Sequence, residues 1–470
     1  MSMQSWPTSL NRRSYLQSAA GFLGMVSLAT LLEAEEKPGT ELKPHFPAKA
    51  KNCIYIFLAG GTSQVDLFDP KTKLNDLHGK PVPASMVDGV RFAFTDPKKS
   101  FLMRSPFAFK KWGKCGAEIS ELLPHIADSA DDIAIIRSMH HHAFAHAQAE
   151  LFTLTGRDQA GHPTNGAWLS YGLGNSSQEL PAYVTLVTGA APVARSLTWG
   201  AGYLPASHAG VLFRNEGEPI LNLGNMPGVS REARREQLDA LAKLDQMQKE
   251  RTGDQSIDAR IANYELAFRM QRSAPELTDY RQESQATREA YGTQRSGDEG
   301  HFARNCLLAR RLVERGVRFV SILHRKWDHH KDLNEFYPGV CREIDQPIGA
   351  LLKDLKTRGL LDSTLVVFAT EFGRTPFTEN VAPGPHAGRD HHPFAYSQWV
   401  AGGGVRGGIT LGSTDELGWK IEQDPVHLHD FHATLLHLFG FDHTRLTYLF
   451  RGLNHRLTDQ GGKLVNSLLL

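Results

Sequence analysis

Short runs that are apolar throughout recur along the chain: Asn52 to Ala59 (NCIYIFLA), Asp132 to Arg137 (DIAIIR), Ala182 to Val187, Phe319 to Leu323 and Thr364 to Ala369 (TLVVFA). A strand with one wet face alternates apolar and polar residues; these runs do not alternate, so both of their faces must be covered. Between them lie stretches with helical periodicity: Ile119 to Ser129, Asn305 to Glu314, Glu343 to Thr357 and His429 to Phe439. Glu150 to Thr155 begins a helix or turn closed by Gly156, and Trp399 to Gly408 reads as a strand running into AGGGVRGG. The alternation predicts an α/β fold with a mostly parallel central sheet and helices on both faces. Arg231 to Gly292 is rich in Arg, Glu, Gln and Ala, so residues 229–300 are expected to form a helical insertion or cap within a domain spanning 50–470.

Ligands of such sheets gather outside the carboxyl ends of the strands. The conspicuous polar clusters fall there: His140 to His146 after DIAIIR, Asp328 to His330 after FVSILH, and Glu371 after TLVVFAT. The chain has 22 His among 470 residues, and clustered imidazoles beside carboxylates are donors for a divalent metal, zinc or manganese before others. Lys plus Arg is 52 and Asp plus Glu is 51, so no strong pull toward nucleic acid or an anionic membrane follows. Four cysteines without CxxC spacing exclude a zinc knuckle or a disulfide scaffold. Each cluster also has a plainer reading. The histidines can fill a polar loop, Arg137 and Arg374 can be ion-pair partners rather than anion clamps, and Asp69-Pro70 can simply start a turn.

The N-terminus carries an address. Asn11-Arg12-Arg13-Ser14-Tyr15-Leu16-Gln17 is a twin-arginine pattern, followed by a short apolar run from Ala19 to Leu32 and a small residue at Ala34. Residues 1–34 are therefore expected to be a Tat-type signal peptide that engages the Tat export machinery, giving a periplasmic or extracellular protein. No later segment offers an uninterrupted apolar run of membrane length, so no stable membrane span is expected.

The text IDQPIGALLKDLKTRGLLDSTLVVFATEFGRTP, within Glu343 to Arg374 and just beyond, resembles the alkaline phosphatase and sulfatase superfamily, where an amphipathic helix leads into a strand and a metal-binding SDHG or SDNG turn. PHIADSADDIAIIRSM, then LFTLTG, and the C-terminal VHLHDFHATLLHLFGFD are similar to other blocks of that superfamily, in its order. GGTSQVDLFDPK, WDHHKDLN, TEFGRTP, GRDHHPF and AGGGVRGG resemble motifs of an exported group within it, domain of unknown function 1501. The resemblance implies an alkaline-phosphatase-like three-layer fold.

It also implies ligands. Asp328 and His330 take the places of the superfamily's Asp and His on its first metal, with His329 the nearby competitor. His391 is the match for the third ligand, with His392 second and His386 third. The second metal site departs from the pattern: Gly60-Gly61 stand where the superfamily has an Asp, and Glu371-Phe372 replace its Asp-His or Asp-Asn pair. Glu371 can still bind metal, and Asp66 or Asp69 are the available substitutes. One tightly bound ion is expected. Ten residues before Gly156, where sulfatases carry the Cys or Ser that becomes formylglycine, stands His146. It can act as attacking imidazole, metal ligand or general base. Arg137 and Arg374, at strand ends, are candidates to hold an oxyanion.

Two readings follow. The first is an exported metal-dependent hydrolase of phosphate or sulfate esters without a formylglycine nucleophile, acting on a small-molecule or glycan anionic ester. The second is a catalytically degenerate, metal-stabilised binding protein for anionic glycans or envelope components.

Overall fold

In a computed structural model, residues 42–90, 92, 95–254 and 256–470 are described; the twin-arginine segment lies outside them. The central sheet has nine strands among these residues: β1 (Asn52–Ala59), β2 (Ile133–His140), β3 (Tyr183–Thr188), β4 (Val211–Phe213), β5 (Phe319–Arg325), β6 (Thr364–Ala369), β7 (Tyr396–Ala401), β8 (Ile409–Leu411) and β9 (Val426–His427). Their order is β8-β2-β7-β6-β1-β5-β3-β4, with β9 also on β2. Only β7 runs antiparallel to its neighbours, β2 and β6; every other pairing is parallel. The carboxyl ends of β1, β2, β3, β5 and β6 thus share one edge.

The absence of alternation in β1 has the expected consequence. Ile54, Ile56 and Leu58 enter one core, with Leu307 and Leu312 of α6 (Gly297–Glu314) and Ile348 and Leu352 of α7 (Leu333–Thr357). Cys53, Tyr55, Phe57 and Ala59 enter the other, with Phe152 of α1 (His146–Thr155), Trp168 of α2 (Asn165–Leu173) and Leu435 of α8 (Leu428–Leu438). Three helices follow β4, α3 (Arg231–Thr252), α4 (Ser256–Thr278) and α5 (Gln285–Tyr291), with α4 joining the first core through Met270, Ala274 and Leu277. Cys53, Cys306 and Cys341 are buried thiols, Cys115 is exposed, and none is paired. No helix among the described residues is long and apolar enough to cross a membrane.

One expectation needs correction. Ile119 to Ser129 is not one helix. Ala117–Ser120 is a strand paired with Phe109–Trp112, and only Pro124–Ala127 turns helically. Pro124 opens that turn, and Asp345 of α7 accepts the exposed N–H groups of His125 (3.0 Å) and Ile126 (2.8 Å), so the apolar spacing serves a capped single turn. The strand read from Trp399 runs into AGGGVRGG as expected: it ends at Ala401, and Gly402, Gly403 and Gly404 adopt positive φ.

Two close approaches bring the functional edge together. A Cβ on Gly60, whose φ is +121°, would lie 2.6 Å from the Asp328 nitrogen. A Cβ on Gly388 would lie 2.2 Å from the His330 carbonyl carbon. Glycine at these positions lets the loop after β1 and the hairpin Gly373–Thr378/Arg389–His392 press against the loop after β5 from two sides. The hairpin is anchored from inside by Arg389, which pairs with Asp66 at 2.8 Å and also donates to the carbonyls of Met103 and Thr375; both charged side chains are fully buried. A buried pair of this kind holds because its remaining donors are also met.

Candidate metal centre

Three chain segments deliver four side chains to one point. His146 opens α1 after β2, Asp328 and His330 follow β5, and His391 lies on the hairpin's return strand. One ligand atom from each lies within 4.8 Å of the others. Asp328 is the hub: Oδ1 lies 2.7 Å from His330 Nε2 and 3.3 Å from His391 Nε2, while Oδ2 lies 3.1 Å from His146 Nε2. The Nε2 atoms of His330 and His391 approach to 3.1 Å.

The opposite nitrogen of each ring is held from outside. His146 Nδ1 donates to Glu371 Oε1 at 3.0 Å, His391 Nδ1 donates to the Phe144 carbonyl at 2.7 Å, and His330 Nδ1 donates to Glu379 Oε2. Carboxylates and carbonyls can only accept, so each tautomer is fixed with the proton on Nδ1. In the neutral rings each Nε2 therefore carries the lone pair, and all three Nε2 atoms lie within 3.3 Å of an Asp328 oxygen.

Three inward lone pairs and a carboxylate form an electron-rich point that needs a cation. Without one, protons supply it. Burial opposes charge on His146, but the Asp328 and Glu371 carboxylates beside it outweigh burial and lift the ring to about 9. His330 is lifted to about 9 in the same way, against burial, by Asp328 and Glu379. Burial lowers His391 despite its contact with Asp328. Burial would raise Asp328, but the three histidines hold it far below the usual carboxylate range. His146 Nε2 is buried and makes no aligned hydrogen bond, although Asp328 is beside it. Three imidazoles, one carboxylate and an outer acceptor behind each imidazole fit a transition-metal ion. Asp328 keeps 44% of its side chain exposed, so the cluster opens to solvent on that side. His330, Glu379 and Asp390 make a second group of converging donors, but it shares His330 with the first.

The remaining expected residues are placed as follows. Glu371 stands behind His146 rather than in the cluster, accepting also from Gly60 N at 2.6 Å. Arg374 touches Asp328 at 2.7 Å but is 1% exposed, spent on the carbonyls of Gly60, Gly61 and Arg389. It faces protein, not an incoming anion. Arg137 lies apart, bonded to the Phe68 carbonyl and near Asp69 and Glu118. His392 is turned away: its ring stacks on Trp419 at 4.3 Å and bonds the Trp419 carbonyl. His329 packs edge-on against Tyr337, and His386 pairs with Asp332. Asp66 and Asp69 are committed to Arg389 and to Lys71 and Thr414, so neither is brought to the cluster. Phe372 stacks on His391 at 4.3 Å and packs with Ala143 and Ala149, an apolar wall at the position where the resemblance implied a His or Asn ligand. The sequence reading missed Glu379 and the Phe144 carbonyl. Glu379 lies eight residues past Glu371 with no motif around it, and a backbone carbonyl has no sequence signal.

No curated protein matches the chain. Among solved structures it is similar to the PsFucS1 sulfatase from Pseudoalteromonas sp., at 14% identity over 89% of this chain and 71% of that one, with a TM-score of 0.36. It is also similar to the lipoteichoic acid synthase LtaP from Listeria monocytogenes, at 11% identity over 87% and 78%, TM-score 0.36. A third is the phosphonate monoester hydrolase of Agrobacterium radiobacter, at 11% identity over 89% and 77%, TM-score 0.35. Residues 50–469 match the family described as Protein of unknown function (DUF1501), and the chain belongs to that family.

Proposed function

We propose that the protein is an exported hydrolase of phosphate or sulfate esters that works with one divalent metal ion and no protein nucleophile. The observation that carries this reading is the convergence of His146, His330 and His391 Nε2 on Asp328, each ring tied outward at Nδ1. The reaction class comes from the resemblance of the helix–strand–turn text around Glu343 to Arg374, and export from the twin-arginine segment. His146, Asp328, His330 and His391 would hold the ion, which when bound would polarise an ester oxygen and lower the pKa of water.

The chain's own groups define the rest. His146 stands where the superfamily attacks, but one nitrogen is given to Glu371 and the other faces Asp328, so neither is left to attack a substrate. Transfer would then go to water directly. Glu371 fixes the His146 ring, Arg374 fixes Asp328, and Phe372 closes the side of His391 to water. The substrate would approach on the exposed side of Asp328.

The second reading, a metal-stabilised binding protein for anionic glycans or envelope components, is favoured by two observations: Phe372 fills the place of an expected ligand and Arg374 is sealed inside.

Metal binding should be proton-linked. His146 and His330 sit near 9 in the metal-free protein, so both carry a proton at neutral pH that must leave. Affinity should rise with pH up to about 9, and titration calorimetry in buffers of different ionisation enthalpy at pH 7 should report about two protons released per ion. Binding without proton release would contradict this set of ligands.

Activity separates the two readings. Nitrophenyl phosphate mono- and diesters and nitrophenyl sulfate should be tested with zinc and manganese. Hydrolysis by the parent, abolished by chelator, is expected. His146→Ala should lose metal and at least about 100-fold in kcat/KM together, because it removes a ligand rather than a nucleophile. Loss of activity with metal retained would return His146 to a direct chemical role, and no hydrolysis under any condition would leave the binding protein. Replacing Arg12 and Arg13 by Lys should leave precursor in the cytoplasm; continued export of that variant would remove the Tat assignment.

A further inference from the structure

A cavity of about 290 Å³ lies on the same sheet edge, at the ends of β3 and β4. Val187, Leu212, Phe213 and Leu221 give it an apolar wall, and Arg214, Glu216 and His301 give it a polar one. Leu212 is on the edge strand, and Leu221 is 61% exposed, a large apolar side chain left open to water. Arg214 forms no ion pair with any described residue, whereas its neighbour Glu216 is paired with Arg304. Below them, Asn215 donates to the His301 carbonyl and to Asn305, yet its own Oδ1 is buried without a hydrogen-bond partner. A cavity of this volume, at the lower limit for ligand pockets, admits one ring-sized group. An apolar wall facing an uncommitted guanidinium suits a ring that carries its own negative charge.

Its place gives it a use. β3 is the strand next to β5, whose end carries Asp328. One to two strand spacings, roughly 5–10 Å, therefore separate the cavity from that loop along the edge. The intervening loop is pinned: Val193 N and Ala194 N donate to Glu150 of α1 at 2.9 and 2.7 Å, and Arg325 donates to the Ala191 carbonyl.

We propose that this cavity is a second binding site, for a ring-sized anionic group such as a carboxylated sugar or aryl ring, held by Arg214 and His301 against Leu212 and Leu221. On the reading proposed above, it receives the part of an extended substrate beyond the scissile ester. The binding claim itself does not need turnover.

Saturation-transfer NMR on the purified full-length protein tests it, with glucuronate and benzoate as probes and glucose and benzyl alcohol as their neutral counterparts. At least one acid should bind, its neutral counterpart about tenfold more weakly; which acid binds tells a sugar ring from an aryl ring. Arg214→Gln should weaken the acid about tenfold, the scale of one charge-assisted contact. Leu221→Glu, at an exposed position, should do the same by repulsion. Asp328→Asn, which removes the hub of the metal cluster, should leave this binding unchanged. Binding of neither acid, equal binding by Arg214→Gln, or loss of binding in Asp328→Asn would overturn the proposal. Because no hydrolysis is read, failure of the hydrolase reading and failure of this site remain distinct.

Discussion

The guanidinium of Arg374 holds the functional edge together from inside. Taking a guanidinium out of water costs several kcal/mol and is tolerated only where its donors find acceptors. Here they meet Gly60 and Gly61 after β1, Arg389 on the hairpin, and Asp328 after β5. Three segments far apart in sequence are thereby fixed to one planar group. The glycines make this possible, since a side chain at Gly60 would strike the backbone beside Asp328. Asp328, held on one side by Arg374, can then present both oxygens to three imidazoles.

The chemistry of the cluster follows from that constraint. A carboxylate beside three neutral rings is an incomplete set of charges, completed either by protons or by a metal ion. The outer acceptors behind each ring turn a cluster of histidines into a directed set of donors: Glu371, Glu379 and the Phe144 carbonyl decide which nitrogen faces inward. Phe372 decides what the site is not. Its ring lies on His391 and against Ala143 and Ala149, so the neighbouring volume is apolar and offers no second set of ligands there.

Much of the architecture was legible because burial on two faces leaves a mark that any register shows. The uniformly apolar runs became β1, β2, β3, β5 and β6, and Thr364 to Ala369 matched residue for residue. The run Ile119 to Ser129 misled because apolar spacing alone cannot tell a helix from a strand followed by a capped turn; the cap comes from Asp345, far along the chain. At the site, His146, Asp328 and His330 were visible as polar residues beyond strands, and His391 through the GRDHHPF motif. His392 and Arg137 were equally visible but point elsewhere, one onto Trp419 and the other toward Asp69. Sequence position places a residue at an edge, while its direction is set by packing partners that motifs do not record. Glu379 was invisible for the same reason.

The central claim is that one metal ion sits among His146, Asp328, His330 and His391, with His146 a ligand and not a nucleophile. The most direct measurement is a crystal structure of the metal-loaded protein with anomalous data collected across the metal's absorption edge. The account predicts one strong peak per chain, about 2.0–2.2 Å from the three Nε2 atoms and an Asp328 oxygen. A peak elsewhere, or one whose ligands leave out His146, would contradict it.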